Sequence, residues 1–184
     1  MKLFINACVR ENSRTKRIAD YFLSKQEEPF VEVRLDKIHF PVVDDAFLAY
    51  RDQCVASGRF DDPVFDLAKQ FALAEEIVIA APLYDLSFPA SLKQYFEQIN
   101  VIGLTFAYSP YGEAESLCHC KRLTYISTAG GGDYIDTYGY GYVKALGEYF
   151  YGIKETRLIQ CAGLDIVGAD IEAILQTAFE QCDK

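Results

Sequence analysis

Residues 77–99 read IVIAAPLYDLSFPASLKQYFEQI, and this stretch contains the signals of a strand, a loop and a helix in succession. Its first part, Ile77–Ala81, is continuously apolar and rich in β-branched residues, which is typical of a strand buried on both faces of a parallel sheet. The loop 82–88 is apolar and aromatic around a single acid, Asp85, and Pro89 then suits the start of a helix. Open α/β sheets bind ligands at the carboxyl ends of their strands, so this loop is a candidate wall for a flat aromatic ligand. The alternative is a hydrophobic turn that packs beneath a neighbouring segment.

The same alternation of strands and helices extends along the whole chain. The other segments that read as strands are Lys2–Ala7, Phe30–Asp36, Arg122–Ser127 and Thr156–Gly163. The helical patterns begin at Asn12 or Ser13, cover Pro63–Leu73, Pro89–Asn100 and Tyr142–Tyr151, and open again at Asp170. This order predicts one α/β domain over residues 1–184, a doubly wound parallel sheet with helices on both faces. Segment 38–62 contains no clear pattern.

The composition excludes several classes of function. The 184 residues have a formal net charge of −9, which disfavours a nucleic-acid partner because such proteins need a basic face. No segment approaches the roughly 20 apolar residues of a membrane span, and the amino terminus does not read as a signal peptide. We therefore expect a cytoplasmic protein without membrane insertion. Its six cysteines are expected to be free thiols, since disulfide frameworks belong to short secreted chains.

The loop after the first strand, residues 8–17, carries an unusual cluster of cations. Cations are mildly unfavourable at a helix amino terminus, which carries partial positive charge and unpaired N–H donors. A bound anion would explain the cluster, with the Ser13 and Thr15 hydroxyls and the backbone N–H groups holding its oxygens. The alternative is a plain Ser cap followed by solvated cations. The cations are Arg10, Arg14, Lys16 and Arg17.

The loop after the fourth predicted strand contains three consecutive glycines at 130–132. Such a run has a high conformational entropy in the unfolded chain, and it allows close approach of a ligand to the backbone. A merely flexible loop is the alternative. Taken together, the three loops predict one crevice with an anion end, an apolar-aromatic slot and a wall of N–H donors. That outline suits flavin mononucleotide (FMN).

The chain resembles the flavodoxin-like NAD(P)H quinone oxidoreductase and FMN-dependent azoreductase family. The resemblance covers nearly the whole chain in order, which makes it stronger than any single motif. It implies a flavodoxin-like fold with five strands in the order 2-1-3-4-5, noncovalently bound FMN and a homodimer. The matching segments are residues 13–15, 19–22, 81–86, 88–93, 103–106 and 127–131.

The resemblance also implies roles for individual residues. Ser13 and Thr15 would bind the FMN phosphate, with Arg14 as a charge partner and Arg10 beside them. The residues along the isoalloxazine would be Pro82, Leu83, Tyr84, Asp85 and Leu86, and those at its edge Ser127, Thr128, Ala129, Gly130 and Gly131. A substrate slot would involve Tyr134 and, from the partner subunit, Phe106, with Tyr84 and Tyr134 as candidate catalytic side chains. Two positions depart from the family pattern: Asp85 stands where Asn is common, and Leu83 where Met is common.

The implied activity is a two-electron transfer by a ping-pong mechanism. NADH or NADPH would reduce the flavin, and a quinone, azo compound or similar small acceptor would then be reduced. No metal is expected, and Cys118-His119-Cys120 reads as an ordinary turn because adjacent residues converge poorly on one tetrahedral ion. Two alternatives are a flavodoxin-type electron carrier without substrate turnover and a flavin-free regulatory or binding module.

Overall fold

A five-stranded parallel sheet forms the centre of the protein, which a computed structural model describes over all residues 1–184. Its strands are β1 (Lys2–Asn6), β2 (Phe30–Arg34), β3 (Glu76–Ala80), β6 (Arg122–Thr128) and β7 (Glu155–Cys161). A separate antiparallel hairpin contains β4 (Phe106–Tyr108) and β5 (Ala114–Ser116). The sheet order is β2-β1-β3-β6-β7, so the predicted order 2-1-3-4-5 is confirmed once the hairpin is set aside.

The burial of the central strands explains their continuous apolar sequence. Every residue of β3 is buried, and its side chains alternate between two core layers on opposite faces of the sheet. Ile77 and Ile79 belong to a layer of 29 buried residues, whereas Val78 belongs to the opposite layer of 14. In contrast, Val31 on the edge strand β2 is 45% exposed, in keeping with the alternating sequence of that strand.

Six helices cover the two faces of the sheet. They are α1 (Arg14–Ser24), α2 (Asp45–Ala56), α3 (Asp66–Ala72), α4 (Ala90–Ile99), α5 (Gly141–Tyr149) and α6 (Ile171–Cys182). Ser13 and Asp170 cap α1 and α6 by accepting a hydrogen bond from a backbone N–H, as their positions predict. Pro89 immediately precedes α4. None of the six helices combines the length and the hydropathy that a membrane-spanning segment requires.

Two elements were not predicted from the sequence. Helix α2 lies inside the unassigned segment 38–62, and only Cys54 among its residues is buried. The hairpin β4–β5 has strands of three residues each, too short to leave an alternating pattern. Several elements differ in extent. Strand β2 ends at Arg34 rather than Asp36, because Leu35–Lys37 forms a 3-10 turn, and a π-helical turn, Asp136–Tyr140, leads directly into α5.

Candidate functional site

The carboxyl ends of β1, β3 and β6 meet at one edge of the sheet and surround a cavity of about 320 Å³. We call it the first cavity. Loops from four strand ends contribute to its wall, because the loop after β7 joins the three that were predicted. The residues that line it are Arg10, Asn12, Ser13, Arg14, Thr15, Pro82, Leu83, Tyr84, Thr128, Ala129, Gly130, Leu164 and Asp165. The predicted convergence of the three loops on one crevice is therefore present in the fold.

The amino terminus of α1 presents free hydrogen-bond donors to the first cavity. The Ser13 hydroxyl accepts from the Lys16 N–H at 3.2 Å, which completes the cap of the helix. The N–H groups of Arg14 and Thr15 donate to no other protein group, as expected in the first turn of a helix. The Thr15 and Thr128 hydroxyl oxygens lie 2.7 Å apart in a buried hydrogen bond that joins α1 to the end of β6. This end of the cavity is suited to an anion.

Three of the four clustered cations have acidic partners, which corrects the prediction that the whole cluster awaits an anion. Arg14 pairs with Asp165 at 2.7 Å, Lys16 with Asp20, and Arg17 with Glu172. Arg10 forms no ion pair, and its guanidinium lies 5.9 Å from the centre of the Tyr84 ring. Arg10 is therefore the cation at the first cavity that remains available to an anionic ligand.

The loop after β3 forms the apolar wall and closes in a tight turn. The Leu83 N–H donates to the Thr128 carbonyl at 2.9 Å, so this loop is fixed to the end of β6. Tyr84 and Ser87 exchange backbone hydrogen bonds of 2.6 and 2.8 Å around Asp85 and Leu86. Both central residues have left-handed backbones, with φ of 51° and 61°. Aspartate tolerates this conformation because its short polar side chain can hydrogen-bond locally, whereas leucine does not, so Leu86 stores strain in the turn.

The glycine loop after β6 forms the opposite wall. Ala129 and Gly130 line the first cavity, and the N–H groups of Gly130 and Gly131 donate to no protein group. The backbone also pairs with the loop after β7, since Asp165 N–H donates to the Gly130 carbonyl at 2.8 Å. Gly131 itself is exposed and lies outside the cavity lining. Ser127 is fully buried in β6, and its hydroxyl has no hydrogen-bond partner.

A second cavity of about 790 Å³ lies next to the first, and Tyr84 lines both. It runs between the loop after β3, the start of α4 and the tyrosines near the start of α5. Its lining is Val9, Tyr84, Asp85, Ser87, Phe88, Pro89, Ala90, Ser91, Lys93, Tyr138 and Tyr142. Asp85 lines this cavity and not the first. Leu86 is 54% exposed and lines neither cavity.

The two residues predicted for a substrate slot lie outside both cavities. Phe106 is buried in the β4–β5 hairpin, with its ring centre 4.5 Å from that of Phe150. Tyr134 is half-exposed, and its ring lies 6.2 Å from that of Tyr138, which does line the second cavity. Within a single chain, the second cavity is therefore lined by Tyr138 and not by Tyr134.

The cysteines are free thiols, and most of them are buried. Burial raises the pKa of Cys8 to about 11, and burial likewise raises the pKa of Cys118 and Cys120 to about 12. Such thiols stay protonated at neutral pH and are poor nucleophiles. No three His, Cys, Asp or Glu residues are placed to hold a metal ion.

The chain is similar to named proteins over nearly its whole length. A family model described as a flavodoxin-like fold matches residues 2–184. A protein of Coprothermobacter proteolyticus named FMN-dependent NADH:quinone oxidoreductase is 34% identical, and the match covers 95% of this chain and 90% of that protein. A protein of the same name from Clostridium beijerinckii is 35% identical, with 96% of this chain and 91% of that protein covered.

Solved structures share the fold over nearly the full chain. An azoreductase from Bacillus anthracis superposes with a TM-score of 0.84 at 22% identity, covering 99% of this chain and 97% of that one. An FMN-dependent NADH-azoreductase from the same species, solved in complex with FMN, gives a TM-score of 0.82 at 23% identity, with coverage of 100% and 96%. The resemblance recognised in the sequence is confirmed. The chain belongs to the flavodoxin-like family that includes the FMN-dependent NADH:quinone oxidoreductases.

Proposed function

We propose that the protein is an FMN-dependent oxidoreductase that transfers two electrons from NADH to a quinone or azo acceptor by a ping-pong mechanism. The names of the full-length relatives support the activity and the cofactor. The observation that carries the proposal is the first cavity, in which free N–H donors at two ends flank an apolar-aromatic wall.

The residues of the first cavity fit FMN. The amino terminus of α1, with the unpaired N–H groups of Arg14 and Thr15, suits the phosphate, and Arg10 is the free cation beside it. Pro82, Leu83 and Tyr84 provide a wall for the isoalloxazine. We assign its polar edge to the unpaired N–H groups of Gly130 and Gly131. Thr128 and Ala129 also line this edge of the first cavity, whereas Ser127 is fully buried and does not.

Bound FMN supplies the redox chemistry, by accepting a hydride from NADH and passing the electrons to the acceptor. The chain contributes binding, orientation and electrostatics. The Gly130 and Gly131 N–H groups are fixed dipoles that stabilise negative charge developing at the polar edge. Tyr84 separates the two cavities and orients ligands on both sides. Because Asp85 lines the second cavity, the wall formed by 82–84 presents no carboxylate to the first cavity.

We assign the acceptor and the nicotinamide to the second cavity. Its aromatic side chains, Phe88, Tyr138 and Tyr142, match the flat apolar shape of a quinone, and Lys93 adds a cation at its edge. Phe88 and Tyr142 already contact each other, with ring centres 5.4 Å apart. Of the two predicted catalytic side chains, we propose Tyr84, which lines both cavities, and not Tyr134, which lines neither.

We also propose that the enzyme is a cytoplasmic homodimer. The free thiols support the location, since the cytosol keeps cysteines reduced. Exposed apolar side chains around the second cavity, including Val9, Leu86 and Tyr138, support a subunit contact there. Sedimentation equilibrium tests the dimer, and a monomer at micromolar concentration would contradict it.

The activity is tested with the purified protein. We expect a flavin absorption spectrum, bleaching on anaerobic addition of NADH, recovery on addition of menadione, and parallel double-reciprocal plots. A titration with NADPH measures the donor preference. Flavin that stays oxidised under NADH would indicate an electron carrier, and colourless protein that does not bind added FMN would indicate a flavin-free module. Either result would overturn the proposal.

A further inference from the structure

Arg14 is engaged by the loop after β7 rather than left free toward the first cavity. Its guanidinium donates to the Asp165 carboxylate at 2.7 Å and to the Leu164 carbonyl at 3.1 Å. The contact spans 151 residues of sequence and joins the start of α1 to the segment before α6. We call the three residues Arg14, Leu164 and Asp165 the loop latch.

The latch also fixes the glycine loop after β6. The Leu164 and Asp165 N–H groups donate to the Ala129 and Gly130 carbonyls at 3.2 and 2.8 Å. A Cβ atom at Gly130 would lie 2.9 Å from the Asp165 Cγ atom and closer still to its carboxylate oxygen. Asp165 therefore occupies the space that a side chain at 130 would need. The absence of that side chain permits the close contact between the two loops.

We propose that Asp165 is a positioning residue for the flavin, which holds the loop after β7 against α1 and the glycine loop and so sets the shape of the first cavity. The proposal rests on the proposed function. It also assigns Arg14 a different role from the one implied by family resemblance: its charge is neutralised by Asp165, and Arg10 is the cation that faces the phosphate.

The two roles of Arg14 make opposite predictions for flavin binding. If Arg14 serves the latch, removal of either partner loosens the loop, and both FMN and riboflavin bind less tightly. If Arg14 serves the phosphate, its removal affects FMN alone, because riboflavin lacks the phosphate. In that case removal of Asp165 frees the cation and tightens FMN binding. Riboflavin therefore reports the shape of the cavity without the phosphate charge.

The experiment compares Arg14→Ala, Asp165→Asn and the double variant in the full chain after removal of flavin. Dissociation constants for FMN and riboflavin are measured by quenching of flavin fluorescence. We expect each single variant to weaken the binding of both flavins by about twofold to fivefold, the scale of one exposed ion pair. The double variant should bind flavin no more weakly than the single variant with the lower affinity, because both changes break the same contact.

The matched control is the Arg17–Glu172 pair, which is also exposed but joins α1 to α6 itself and lines neither cavity. Arg17→Ala should leave both dissociation constants unchanged. A loss confined to FMN in Arg14→Ala, or tighter or unchanged FMN binding in Asp165→Asn, would overturn the latch. Failure of the unmodified chain to bind FMN would instead overturn the proposed function.

Discussion

The buried hydrogen bond between Thr15 and Thr128 allows a quantitative test of how the site is held together. The two hydroxyl oxygens are 2.7 Å apart, and the residues are 1% and 7% exposed. Thr128→Val keeps the shape of the side chain but leaves the Thr15 hydroxyl buried without a partner. A buried polar group left unsatisfied costs about 1 to 3 kcal/mol. For a domain of this size, that corresponds to a fall in Tm of about 2 to 12 °C.

The double variant Thr15→Val/Thr128→Val removes both hydroxyl groups together. We expect it to be more stable than Thr128→Val and within about 1 kcal/mol of the unmodified protein, because no buried polar group is then unpaired. Thr177→Val on the exposed face of α6 is the control, since its hydroxyl bonds only to the carbonyl of its own helix.

The assay is urea unfolding of the flavin-free chain, followed by circular dichroism and extrapolated linearly to water. Flavin is removed because a ligand that binds the folded state would add its own stabilisation. The reasoning is refuted if Thr128→Val is as stable as the control, or if the double variant is less stable than Thr128→Val. Either outcome would mean that the hydroxyl pair contributes nothing to the joint between α1 and β6.

Three further predictions concern the turn, the glycine loop and the thiols. Leu86→Gly should raise the free energy of unfolding by about 0.5 to 1 kcal/mol in urea denaturation, because glycine adopts the left-handed backbone without strain. Gly130→Ala should weaken FMN binding by about twofold to fivefold, because the exposed Asp165 carboxylate must turn away from the new Cβ and so leaves Arg14; an unchanged dissociation constant in fluorescence titration would contradict this. Burial raises the pKa of Cys8 to about 11, so its thiolate fraction is low at pH 8 and rises with pH. The rate of its alkylation by iodoacetamide, followed by mass spectrometry, should rise about tenfold per pH unit between pH 8 and 10. A rate that reaches a plateau below pH 9 would contradict the raised pKa.

The sequence predicts the sheet well because its central strands are buried on both faces. Four of the five apolar residues of Ile77–Ala81 lie in β3, which runs from Glu76 to Ala80, and Ser13 and Asp170 cap the predicted helices. Helix α2 has no such signal, because it buries only Cys54 and its apolar residues follow no single face. Its existence depends on tertiary contacts, such as the two hydrogen bonds from Arg51 to carbonyls of 97 and 100.

The candidate site was predictable wherever its residues share a loop with a recognisable composition. Ser13, Tyr84 and Gly130, which line the first cavity, are predicted in this way. Asp165 was missed because nothing near it in the sequence indicates its contact with Arg14, 151 residues away. The pairing of Lys16 with Asp20 could have been predicted, since residues four apart on a helix are neighbours.

The position of Tyr84 as a common wall has a thermodynamic consequence for the two cavities. If an occupant of one cavity shifts the Tyr84 ring, the free energy of that shift changes the affinity of the other cavity. Such a coupling is reciprocal, so the flavin must alter the affinity for the acceptor by the same factor by which the acceptor alters the affinity for the flavin. A substitution at this one ring therefore changes two binding equilibria together.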